Sequence, residues 1–215
     1  MTRIGLALLA VAGAVLFAGA AQAKAPPGGV DVCGPSACAH LSMADAEQLW
    51  IGQTSISSAR ALPGPFYLLR WSWSPGEDDS AYLVPSSSAI RWNSGSGHSA
   101  GWAGIDSAAL DKIRSIAGGV DPYPTPTLTR VTVGGREVAE PQTYLQLFAG
   151  KLAFKQVGGR WWTVKLQSAA PSPWTDGSFL LRLSRNHPYV SINGMLFRLP
   201  RAIVRQARFG LALTG

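Results

Sequence analysis

The sequence predicts an α+β protein made mainly of short antiparallel strands and hairpins, with three or four short helices. Three observations carry that prediction. The chain is 47% hydrophobic but only 14% charged, with 24 glycines and 15 prolines, which suits many turns between short strands better than long helices. Residues 65–74 alternate at the strand period of two, with Tyr67, Leu69, Trp71 and Trp73 on one face. Gly134-Gly135, Gly158-Gly159 and Asn193-Gly194 each separate apolar runs with the two-residue turn that hairpins prefer.

The N-terminus has every part of a secretory signal. Arg3 supplies the positive charge, residues 4–18 are apolar or small, and Ala21-Gln22-Ala23 is a small-x-small cleavage site, so residues 1–23 are expected to be removed on export. That apolar stretch is shorter than the ~20 residues that span a bilayer, and no later stretch is long enough, so the mature chain is expected to lack a transmembrane helix. The mature chain divides into an N-terminal half (24–120), a Pro-rich connector (121–127) and a C-terminal half (128–215). The two halves can equally form one domain.

Cys33 and Cys38 are the only cysteines, and export places them where disulfides form. Gly34 and Pro35 favour the tight reversal that a bridge needs. A metal site of Cys33, Cys38 and His40 lacks a fourth ligand, because His98 and His187 are distant in sequence, so no metal or other cofactor is expected.

Further along, residues 39–42 read as a strand and 43–50 as a helix capped by Ser42. After the 65–74 strand, Glu77-Asp78-Asp79 reads as a solvated turn rather than a calcium loop, with 81–84 as the returning strand. Residues 89–92 form another strand, 93–101 a Gly/Ser-rich loop, and 106–117 a helix with Ile105, Ala109 and Ile113 on one side. Beyond the connector, 128–133 and 136–139 pair as a hairpin, 141–148 read as a short helix, and 152–157 pair with 160–167 as a second hairpin. Residues 179–183, 189–192 and 195–199 are strands, and 201–209 a last helix with Pro200 at its start.

The Cys33-Gly-x-x-x-Cys38 opening after a signal, the 126–131 run with Gly134-Gly135-Arg136, and the 171–177 loop together resemble exported proteins of high-GC Gram-positive bacteria that have no established activity. The resemblance implies export and a shared fold. It brings no catalytic residues to carry over.

Gly97-His98-Ser99-Ala100-Gly101 spells a nucleophile elbow, with Asp121 or Asp176 and then His187 following in hydrolase order. A buried strand should run directly into such a serine, yet Asn93-Ser94-Gly95-Ser96 precedes it, and no alternating strand-helix units surround it. A flexible loop is the simpler reading. The charge pattern is more informative. After Asp176 there is no acid, while Arg182, Arg185, Arg198, Arg201, Arg205 and Arg208 follow, and Arg201, Arg205 and Arg208 share one face of the last helix. Guanidinium groups pair with phosphate, so an anionic envelope polymer, lipid headgroups or another surface protein are the expected partners. An exported address argues against nucleic acid. Eight tryptophans raise a third possibility, a glycan platform, for which Trp174 in its Pro-rich loop is the residue expected at the surface. The sequence therefore favours an exported, non-enzymatic binding or structural module of the cell envelope. A serine hydrolase using Ser99 and a glycan-binding domain using exposed tryptophans are the alternatives.

Overall fold

The computed structural model describes residues 28–54, 61–74, 77–93, 102–154, 158–175, 177–183, 188–192 and 194–199. They form two seven-stranded sheets, antiparallel at every pairing. The first contains β1 (Gly29–Cys33), β2 (Cys38–Leu41), β3 (Gln53–Thr54), β4 (Tyr67–Ser74), β5 (Glu77–Val84), β6 (Ala89–Trp92) and β7 (Trp102–Ile105), in the order β2-β1-β4-β5-β6-β7-β3. The second contains β8 (Leu128–Val133), β9 (Arg136–Glu137), β10 (Lys151–Leu152), β11 (Trp162–Ser168), β12 (Phe179–Arg182), β13 (Tyr189–Ile192) and β14 (Met195–Arg198). Its order is β9-β8-β11-β12-β13-β14-β10. Counted from its own first strand, each sheet has the same order. In each unit a hairpin leads to a helical segment, a two-residue edge strand and a four-stranded meander, so the chain is one topology used twice.

Helix α1 (Met43–Ile51) fills the helical slot of the first unit, and α2 (Ser107–Ile116) follows its meander. Both begin on side-chain caps. The Ser42 hydroxyl accepts from the Asp45 N–H at 3.3 Å, and the Asp106 carboxylate accepts from the Ala109 N–H at 2.7 Å. The Ser42 hydroxyl also donates to the Asp45 carboxylate, and Lys112 of α2 lies 3.1 Å from it, so the Asp45 pKa is held below its ordinary value. In the second unit the slot is taken by a 3₁₀ segment, Pro141–Ala149, which buries Tyr144, Leu145, Leu147 and Phe148.

Strand alternation sorts the core. Leu69, Trp71, Ala81, Leu83, Ile90, Ala103 and Ile105 of the first sheet face α1 and α2, whereas Tyr82, Val84, Ala89 and Trp102 face the other way. These last four join Val131, Val164, Phe179, Val190 and Phe197 of the second sheet in one buried cluster. The outer face of the first unit is thus covered by side chains of the second. Segment 121–127 also meets the first unit. Tyr123 exchanges backbone hydrogen bonds with Phe66 at 2.8 and 3.0 Å, and their rings stack at 5.2 Å. Beneath α1, Trp50 meets Trp71, Trp73 and Trp92 edge-on at 6.0, 4.9 and 5.4 Å. Half of the eight tryptophans therefore serve this one core.

Several expectations hold, including helix α1 with its Ser42 cap, helix α2, the β8–β9 hairpin with φ of +59° and +84° at Gly134 and Gly135, and the direct Ile192–Met195 register across residues 193–194. Others are corrected. Glu77–Asp79 do not form a turn; their backbone is already strand, because β4 runs to Ser74 and pairs with Glu77. The second hairpin does not form. Lys151 and Leu152 pair instead with Arg198 and Phe197, so β10 closes the edge of the sheet beside β14. Gly150 allows that approach, since a Cβ there would sit 2.8 Å from the Arg198 carbonyl oxygen. The 201–209 helix lies outside the described residues. Among the described residues no helix is long and apolar enough to cross a membrane.

Candidate functional site

Cys33 and Cys38 face each other across the β1–β2 hairpin and are disulfide-bonded, with Cα atoms 4.0 Å apart. Both sulfurs are used, and His40 Nδ1 lies 2.8 Å from an Asp31 carboxylate oxygen, so the Cys33, Cys38 and His40 metal site does not form. Among the described residues no group of three or more His, Cys, Asp or Glu could hold a metal ion. Ser99, Asp176, His187, Arg201, Arg205 and Arg208 lie outside the described residues.

Trp174, expected at the surface, is fully buried. Its indole N–H donates to the Ala61 carbonyl at 3.1 Å, and its ring meets Phe66 and Trp102 at 5.9 and 6.0 Å. The Arg91 guanidinium, itself buried, donates to the Pro173 carbonyl of the same loop. A Pro-rich loop context suggests exposure, but here the loop is pegged by an arginine and a tryptophan into the buried cluster that the two sheets share. Its rim forms one wall of an open cleft of about 800 Å³. Thr129, Gln167, Ser168, Ser172, Thr175 and Asn93 give that cleft uncharged hydrogen-bonding groups, with Tyr82 among its lining residues.

The second feature is the outer face of the second sheet. Leu152, Phe197, Val190 and Leu181 point into the core, so their strand neighbours point outward. Lys151, Arg198, Tyr189 and Arg182 lie side by side on β10, β14, β13 and β12 at matched register. With strands ~4.8 Å apart, the row is about 15 Å long and carries three cations. Lys165 adds a fourth on β11, while Arg130 on β8 is paired with Glu137 at 2.9 Å. Lys151, Lys165 and Arg198 are exposed. Arg182 is half-buried because the loop at Gly159 lies over it, where a Cβ would be 2.9 Å from its Nε; this glycine also has φ of +114°. Residues 141–215 hold ten Lys and Arg against one acid, Asp176, a net of +9, which leaves 7 − 9 = −2 for the rest of the chain.

The sequence pointed to Arg182 and Arg198 as charges but missed Lys151 and Lys165. Residues 151, 165, 182 and 198 become neighbours only through the sheet order. No protein-family model, curated protein or solved structure matches this chain.

Proposed function

We propose that this protein is an exported, non-enzymatic binding module that docks on an anionic surface of the cell envelope. The observation that carries the reading is the cationic outer face of the second sheet, where Lys151, Arg198 and Arg182 lie in one register row and Lys165 stands four residues further along the same face, with Glu137 as an acid already engaged by Arg130. Arg201, Arg205 and Arg208, which follow in sequence, lie outside the described residues and add to the charge of the chain's C-terminal part. Four cations gathered on one sheet face repel one another, and a phosphate- or carboxylate-bearing surface relieves that repulsion. Such attraction is screened within ~10 Å at 0.1 M salt, so binding is steeply salt-dependent.

The test is co-sedimentation of the purified protein with isolated envelope fragments across a salt series, beside a Lys151/Lys165/Arg182/Arg198→Gln variant. Binding that weakens with salt and is lost in the variant is the expected result. Equal binding by the variant sinks the proposal. Export is tested separately by intact mass, which is expected to place the N-terminus of the exported protein at Lys24.

The cleft favours a second reading, recognition of a neutral glycan. Its hydroxyl and amide lining suits sugar hydroxyls without charge, and Trp174, being buried, does not stack on the ligand. Binding of uncharged oligosaccharide that is insensitive to salt and lost in Gln167→Ala supports this reading over the first.

A further inference from the structure

The two units can be matched strand for strand through their registers. Leu83 pairs with Ile90 as Leu181 pairs with Val190, and Ile90 pairs with Ala103 as Val190 pairs with Phe197. Positions on the outer faces follow from that match. Tyr82, Val84, Ala89 and Trp102, by which the first unit joins the second, correspond to Leu180, Arg182, Tyr189 and Leu196. Gly104 corresponds to Arg198. The face that is an apolar stacking surface in the first unit is therefore, in the second, a mixture of cations, aliphatic side chains and the buried Tyr189.

We infer that this outer face docks on an anionic lipid bilayer, with Phe154 as its interfacial anchor. The inference rests on the proposed anionic-surface reading and names the surface. Three observations separate a bilayer from other occupants. A second copy stacked through this face is opposed by Arg182 and Arg198, which replace Val84 and Gly104. A soluble polyanion satisfies the cations but offers nothing to apolar groups, whereas Leu180 and Leu196 on this face, and Phe154 in the chain just beyond its edge strand, leave apolar surface exposed. Phe154, two residues beyond the edge strand β10, is 94% exposed, the most exposed large hydrophobic among the described residues. Leu180 is 36% exposed in the middle of the face, and Leu196 is partly exposed beside it. Third, the cations and the ring are within reach of one interface. Phe154 is three residues from Lys151, so their Cα atoms are at most about 10 Å apart. Headgroup phosphates take the cations, while the ring enters the boundary between headgroups and acyl chains, where aromatic side chains are favoured.

The experiment measures binding of the purified protein to phosphatidylglycerol/phosphatidylcholine vesicles, to pure phosphatidylcholine vesicles and to soluble polyphosphate. Wild type is compared with Phe154→Ser and with Arg182→Gln/Arg198→Gln, each checked for an unchanged melting temperature. The expected pattern is binding to the anionic vesicles, about tenfold weaker in Phe154→Ser from the lost apolar burial, with polyphosphate binding untouched by that substitution. The double variant is expected to weaken both by at least tenfold, each cation near an anionic surface contributing about fivefold. If Phe154→Ser binds anionic vesicles as tightly as wild type, or only polyphosphate is bound, the bilayer inference falls and the anionic-surface reading survives. If neither probe is bound, both fall.

Discussion

Trp174 separates a ligand-contacting residue from a structural peg, and its replacement gives a decisive measurement. The side chain is fully buried, donates to the Ala61 carbonyl at 3.1 Å and lies against Phe66 and Trp102. Trp174→Ala removes a large side chain from a cluster shared by both sheets and leaves a cavity, which costs about 3–5 kcal/mol. Part of that figure is the Ala61 carbonyl losing its donor. For a chain of this size each kcal/mol moves the melting temperature by about 2–4 °C, so a fall of roughly 6–20 °C is expected. Trp174→Phe keeps most of the packing and loses the hydrogen bond, for about 1–3 kcal/mol. Urea unfolding followed by circular dichroism gives both values, with the slope m unchanged if only the folded state is affected. A loss below about 1 kcal/mol in Trp174→Ala refutes the buried-peg argument and makes Trp174 a surface ligand contact again.

Three other outcomes are expected from the same geometry. Replacing Cys33 and Cys38 with alanine opens a loop of sequence separation 5 and is expected to cost about 2 kcal/mol in the chain-entropy account, read from urea midpoints with and without reductant. Burial pushes the Tyr144 pKa up to about 12, and among the described residues its hydroxyl has no hydrogen-bond partner. The unfolded chain releases that proton near pH 10 and the folded chain keeps it, so this stability is intact below pH 10 and lost as pH rises towards 12; Tyr144→Phe removes that loss and stabilises the protein by about 1 kcal/mol at neutral pH. In the helix that the sequence predicts over residues 201–209, helical spacing sets Ile203 and Ala207 opposite Arg201, Arg205 and Arg208. Ile203→Asp is therefore expected to lower the melting temperature by several degrees, and Arg205→Asp to leave it within about 1 °C.

Sequence was most legible where one residue pattern had one structural solution. Leu69, Trp71 and Trp73 alternate with polar residues, and all three are buried. The apolar spacing of Ala109 and Ile113 marked α2, although Asp106, read as its first residue, is its cap. Legibility failed where pairing was decided by distant strands. β7, read within the loop-to-helix passage, is a strand because β6 and β3 flank it, and Lys151–Leu152 chose β14 over the nearer β11 because Gly150 clears the Arg198 backbone. The internal repeat is equally invisible to residue matching. The inward pattern is kept, as in Leu69 against Val164 or Ile90 against Val190, while most outward positions diverge, the exposed Arg70 against Lys165 being an exception.

That divergence bears on function. If the two units were interchangeable modules, the outer face of the second should resemble the outer face of the first, which stacks through Tyr82, Val84, Ala89 and Trp102. It keeps the strand register and the inward side chains but carries arginine where the first has Val84 and Gly104. An end face that needed only solubility is served by mixed charges, as the first unit shows with Asp45, Asp111, Lys112 and Arg114 on its helices. Residues 141–215 have ten cations and one acid instead. A one-sided charge raises self-repulsion without adding to the fold. The part of it that stands on the outer face of the second sheet, at Lys151, Lys165, Arg182 and Arg198, is the physical reason to look there for the partner.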